Sequence, residues 1–183
     1  YVNYVQGNGS INSAGYRKKY GYLTWVNYLL ESRPSYHQTP DLWKTSEQPV
    51  TQVKNAVTIF LSYLQEVDTE DRLGLSLYSS SSENAVLESP LTPNYQQIED
   101  ISRHRQAGHY NSWTNIGAGL QVARQELENN ARPGAFKMIV LMTDGIANRP
   151  SDPSTARQFA LDEGQLAADA GIPVVTVSLG VSA

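Results

Sequence analysis

Residues 138–142 read Met-Ile-Val-Leu-Met, five apolar side chains in a row that stop on Thr143-Asp144-Gly145. A strand with one face in water alternates apolar and polar residues. An unbroken run calls for cover on both faces, the situation of a parallel strand flanked by helices. The stretch Ile172-Pro173-Val174-Val175-Thr176-Val177 repeats the pattern. Between the two runs, STARQFALDEGQLAADAG predicts an amphipathic helix with Gly171 at its C-terminal end, and Asp152-Pro153-Ser154 reads as its capping segment. Strand, helix, strand in that order is a crossover unit.

The chain upstream extends the pattern. Val50, Val53, Val57, Phe60, Leu61, Leu64 and Val67 recur at three- and four-residue spacing, which predicts a long helix entered through Pro49 and left at DTED. LGLSLY, with Leu73, Leu75 and Leu77 alternating, predicts a strand, and NAVLES a partner reached through the serine-rich turn SSSSEN. The polar stretch TPNYQQIEDISRHRQAGHY predicts a short helix and a loop. Ile116, Leu120, Ala123 and Leu127 then mark one face of a further helix, closed by NNARPGA. The whole reads as an α/β fold with a doubly wound, mostly parallel sheet and one antiparallel edge strand. Ligands in such sheets collect outside the carboxyl ends of the strands, where Asp144 falls.

Residues 1–48 differ in character. They hold seven of the eleven tyrosines and two of the three tryptophans and contain no long apolar strand. YRKKYGYLTWVNYLL predicts a helix with Tyr20, Leu23, Tyr28 and Leu30 or their neighbours facing inward, and Pro34 and Pro40 break the chain into loop after it. This segment is expected to be a helical insertion in the same domain as an α/β core at 49–183. Aromatics of this kind cover apolar surface, and they are also favoured at recognition surfaces.

Composition removes several function classes. A formal charge of −4 and a pI near 5.3 are wrong for a nucleic-acid binder, which needs a basic face for phosphates. Arg17-Lys18-Lys19 reads as a solvated helix face. With no cysteine there is no disulfide framework, thiolate metal site or cysteine nucleophile. His37, His104 and His109 lack metal-ligand spacing, Ser79–Ser82 lack a nucleophile elbow, and the Gly7–Gly15 stretch lacks the strand and lysine of a phosphate loop.

Two loops remain that carry chemistry. In NSWTNIGAGLQVA, Thr114 or Asn115 can cap the following helix, while Gly117 and Gly119 allow close packing. In IVLMTDGIAN, Asp144 ends the apolar strand. These segments resemble two of the three loops of the metal-ion-dependent adhesion site of von Willebrand factor type A domains: a threonine before a helix, then an aspartate after the next strand. DRLGLSLYSSSS and PVTQVKNAVTIFLSYL resemble that fold's second strand and first long helix, so the resemblance spans roughly residues 49–180. It implies a protein-interaction or adhesion module, not an enzyme. In such a module Thr114 ligates a divalent cation through its hydroxyl, and Asp144 binds the ion directly or holds a coordinating water. Mg²⁺ is the implied cofactor, with Mn²⁺ or Ca²⁺ as substitutes, and a partner protein supplies an acidic side chain as the last oxygen. Trp113, Asn115 and Gly145 flank the two ligands and are the expected partner contacts. The tyrosine-rich N-terminal part is similar to that of bacterial members associated with Tad-type pilus assembly. That implies an extracytoplasmic or cell-surface location, with a parent protein that is membrane-anchored.

The family's third loop, an Asp-x-Ser-x-Ser after an apolar first strand, does not occur in these residues. The core is therefore expected to be incomplete at both ends, with the first strand and its loop upstream of Tyr1. Two other functions stand beside the adhesion reading: a type A scaffold that holds no metal, and an α/β phosphoryl-transfer enzyme using Asp144. The second wants further acids and a lysine at neighbouring strand ends, and TVSLG supplies none.

Overall fold

The structure, a computed structural model, describes residues 1–9, 20–33, 38–45, 50–78, 85–105, 113–143 and 145–178. Asp144, His37, His109, Arg17–Lys19 and the Ser79–Ser82 turn lie outside the described residues.

Helix α1 (Val2–Gly7) and helix α2 (Tyr22–Ser32) pack through aromatic rings. Tyr1 meets Trp25 edge-on with ring centres 4.9 Å apart, and its hydroxyl lies 2.9 Å from that of Thr24. The Tyr4 hydroxyl donates to Glu31 at 2.7 Å. Gly21 stands in an extended conformation at the N-cap of α2, and Thr24 Oγ1 accepts from its amide at 2.9 Å. The helix therefore starts one residue after Gly21, which leaves Tyr20 in the preceding turn and 54% exposed, not facing inward as its spacing predicts. Among the described side chains of this helix Thr24 and Val26 are buried, and those of Leu23 and Leu30 lie outside the described ones. Val26 and Leu29 pack on Leu42 in a single 3₁₀ turn (Leu42–Lys44), and Trp43 of that turn stacks near His104, ring centres 5.8 Å apart.

Helix α3 (Val50–Val67) fills the predicted span and ends where Asp68 and Glu70 adopt positive φ. Only Leu61 of its apolar stripe is fully buried. Strand β1 (Leu73–Leu77) pairs antiparallel with β2 (Val86–Thr92), with irregular register between Leu73 and Ser76. The second strand runs past Ser89 through Pro90, a residue that a strand tolerates at a sheet edge. Helix α4 (Tyr95–His104) follows, capped by Asn94, whose side chain accepts from the Gln97 amide.

Helix α5 (Ile116–Asn130) packs on β1, β2, strand β3 (Ile139–Thr143) and helix α6 (Pro153–Asp169). Strand β4 (Val174–Ser178) pairs parallel with β3, Ile139 opposite Val174 and Thr143 opposite Ser178. The right-hand parts of this unit are locally determined. Asp152 caps α6 with Pro153 in its first turn, and Gly171, at φ +70, closes it so that the Ile172 amide reaches the Ala167 carbonyl at 2.8 Å.

The main core lies between α5, α6 and the β3–β4 pair: Leu120, Ile139, Ala167 and Ile172, with Ile116, Ala123, Leu127, Leu141 and Val174 against them. Two glycines make the close approach possible. A Cβ at Gly117 would overlap the Phe159 ring of α6, and one at Gly119 would stand 2.7 Å from Tyr78 Cδ1. Buried polar groups on α5 are all engaged. Glu126 accepts from the Leu91 amide of β2 at 2.9 Å, and Arg124 bonds Glu163 of α6 through Nε and Nη2 at 3.2 and 2.9 Å.

The fold is α/β, and the described strands form two pairs, one antiparallel and one parallel. Cover on both faces is met on one side only. Ile139, Leu141 and Val174 face α5 and α6. Val140, Met142, Val175 and Val177 alternate to the opposite side and are partly open, with Val175 47% exposed. Both β3 and β4 were expected to be buried strands. β4 is the more exposed because Val175, Thr176 and Ser178 are all open.

Candidate functional site

The site is built where α5 begins and β3 ends. Asn115, not Thr114, caps α5: its side chain accepts from the Ala118 amide at 3.4 Å and is 6% exposed. An asparagine turned inward in this way satisfies an orphan amide of the first helical turn. Capping by Asn115 frees the Thr114 hydroxyl.

Thr114 is held from both sides of its backbone. Its amide donates to the Asn148 side-chain oxygen at 2.8 Å, and its carbonyl accepts from the Asn148 amide at 3.0 Å. This two-bond clasp ties the loop before α5 to the loop after β3. The Thr114 hydroxyl lies 3.5 Å from the point where a Cβ on Gly145 would stand. Gly145 in turn is fixed by buried Thr143, whose Oγ1 donates to the Gly145 carbonyl at 3.1 Å and accepts from its amide at 3.3 Å. Thr114 and Gly145, which the sequence separates by a helix and a strand, are thus neighbours at the carboxyl end of β3.

Around this corner stand the residues that face outward. Trp113 is 40% exposed and Ile146 is 74% exposed, while Ala147 between Ile146 and the clasp is buried. The guanidinium of Arg149 lies over the Trp113 ring, 3.4 Å from its centre. Three of these, Ile146, Asn148 and Arg149, were not singled out from the sequence. Asn148 directly follows an unremarkable Ile146-Ala147, and nothing in its spacing marks it as the residue that clasps Thr114.

The donors fit a hard divalent cation in kind. Thr114 Oγ1 is a hydroxyl oxygen placed next to the glycine that follows Asp144. Among the described residues no group of three or more histidines, cysteines, aspartates or glutamates comes together.

Helices against a parallel strand pair, with polar loops gathered at the carboxyl end of β3, define an α/β domain of the ligand-binding kind. The chain belongs to the von Willebrand factor type A domain family, whose model matches residues 43–182. A search of curated proteins gave no match. Domains of this family are generally protein-interaction or adhesion modules and typically not enzymes; they often bind a divalent metal and are often extracellular or surface-associated. Among the described residues no helix is long and apolar enough to cross a membrane.

Proposed function

We propose that the chain is a metal-assisted protein-interaction module whose partner docks on the rim formed by the Thr114 loop and the loop after β3. The observation that supports this most directly is the approach of the Thr114 hydroxyl to Gly145 under the Asn148 clasp. Thr114 and Asp144 hold the cation, Mg²⁺ in preference to Mn²⁺ or Ca²⁺. The bound ion supplies an electrophilic coordination position for an acidic side chain of the partner. The chain's own part is positional. Asn148 fixes the Thr114 backbone, Asn115 caps α5 so that the hydroxyl stays free, and Trp113 and Gly145 meet the partner.

The two strand pairs belong to one doubly wound sheet, a reading supported by α5 packing on β1, β2 and β3 together. Residues 1–48 are an insertion of the same domain, supported by the seating of Val26 on Leu42 and of Trp43 beside His104 on α4. The setting is a bacterial surface or pilus-assembly protein outside the cytoplasm.

Calorimetric titration with Mg²⁺ or Mn²⁺ tests the metal reading. Binding heat in the wild type, lost in Asp144→Ala and reduced in Thr114→Ala, is the expected result. A second reading, a type A scaffold that works without metal, is favoured by the lack of an Asp-x-Ser-x-Ser loop in these residues. Equal heats for wild type and Asp144→Ala would decide for the scaffold.

A further inference from the structure

We infer that Trp113 and Arg149 form a preorganised carboxylate clamp beside the Thr114 loop, so that this face recognises an acidic segment of its partner even without metal. The inference rests on the reading of this rim as the partner-binding face, and adds a second, metal-independent contact to it.

The clamp is the outer rung of the loop clasp. Thr114 and Asn148 are joined by two hydrogen bonds, and their outer neighbours in the chain, Trp113 and Arg149, are stacked. Stacking on an indole face holds a guanidinium by cation–π attraction and leaves the donors along its edge unspent. Arg149 leaves them almost entirely unspent. Among the described residues its one hydrogen bond is a long one of 3.5 Å from Nη1 to the Ser151 carbonyl, and its Nε is buried beyond a partner's reach, so the outer Nη1 and Nη2 groups are the ones left to meet a carboxylate. No ion pair among the described residues includes Arg149, whereas Arg103, Arg105 and Arg124 each hold a carboxylate.

The acid that follows it most closely in the chain is already committed. Asp152 accepts from the Ser154 and Thr155 amides and from the Thr155 hydroxyl as the cap of α6. A fixed planar guanidinium with unspent donors is matched in geometry by a carboxylate, which it binds through two parallel N–H···O bonds. Trp113 and Ile146 provide exposed apolar surface on either loop for the stem of that side chain and its neighbours. Arginine and tryptophan side chains that become buried on association carry much of the affinity in protein interfaces.

The formal charge of −4 makes the test discriminating, because a chain of this sign has no general attraction for polyanions. Fluorescein-labelled octaglutamate and octaglutamine peptides would be titrated by anisotropy in excess EDTA. Octaglutamate is expected to bind the wild type and octaglutamine not to. Arg149→Gln should weaken octaglutamate by about tenfold or more, the scale of a lost charged hydrogen bond. Trp113→Ala should weaken it several-fold, and Arg149→Lys should fail to restore it because an ammonium lacks the fork. Arg72→Gln, which removes the same charge at the far end of β1, should bind like the wild type. No octaglutamate binding in EDTA, or equal binding by wild type and Arg149→Gln, overturns the clamp. Full restoration by Arg149→Lys overturns it as well, since charge alone would then suffice. Adding Mg²⁺ separates the two proposals: binding in EDTA that Mg²⁺ does not strengthen supports the clamp and defeats the metal reading, and binding only with Mg²⁺ does the reverse.

Discussion

The hydroxyl of Tyr78 donates to the main-chain carbonyl of Met142 at 2.6 Å, joining the end of β1 to β3 although the two strands do not pair. The ring reaches this position by lying against Gly119 of α5. Tyr78→Phe keeps the ring and deletes the bond, leaving a half-buried carbonyl unsatisfied. It should cost about 1 kcal/mol in urea unfolding, and Tyr78→Ala, which also removes the packing, distinctly more.

Gly117 admits the Phe159 ring into a space that a methyl group would occupy. Gly117→Ala should therefore destabilise by roughly 1–3 kcal/mol, despite alanine's better helix propensity. Phe159→Leu in the same chain should recover part of the loss. A double-mutant cycle with no coupling between the two sites would refute the explanation.

Arg124 and Glu163 form a mostly buried pair between α5 and α6, supported by Gln121, which donates to Glu163 at 3.0 Å. The bond to Glu163 is the main cause that raises the Arg124 pKa above its ordinary value. Removing Glu163 leaves Arg124 its second carboxylate, Glu128 at 2.9 Å, so Glu163→Ala should cost about 1–3 kcal/mol, the scale of the lost charged hydrogen bonds. An Arg124→Met, Glu163→Leu double variant should unfold close to the wild type, as a packed apolar pair replaces the ions. Thermal and urea unfolding measure both.

The carboxyl of Asp152 is pulled down to about 2, first by the Thr155 hydroxyl and then by the Thr155 amide. A folded-state value below the unfolded one makes the cap's contribution complete above the ordinary aspartate range, and it is lost as pH falls toward 2. Hydrogen exchange in the first turn of α6 should accelerate between about pH 4 and pH 2 in the wild type. Asp152→Asn, which has no charge to lose, should show a flatter profile over the same range.

The sequence made the periodic elements legible because burial repeats at the helix or strand period. The faces of α5 and α6, the apolar run of β3 and the Asp152 cap are examples. Thr114 was singled out through the resemblance of SWTNIGAGL to the threonine loop of type A domains. Other features depended on contacts that no local pattern encodes. Nothing in the sequence singles out Glu126 and Glu163, yet each is buried and bonded to a different element. Asn148 is an ordinary loop residue until Thr114 is brought opposite it. Tyr20 was misplaced because the helical spacing was carried back through Gly21, the N-cap at which the helix begins and whose amide donates to the Thr24 hydroxyl.

The two strand pairs also order the events of folding. Leu77 and Val86, nine positions apart, close the β1–β2 hairpin across a short loop, and β3 and β4 meet across α6 alone. The Tyr78 latch to Met142 spans 64 residues and has the larger closure entropy to overcome. The hairpin and the β3–α6–β4 unit are therefore expected to assemble separately, with the latch engaging after them. Loss of the Tyr78 hydroxyl then speeds unfolding while leaving the folding rate nearly unchanged.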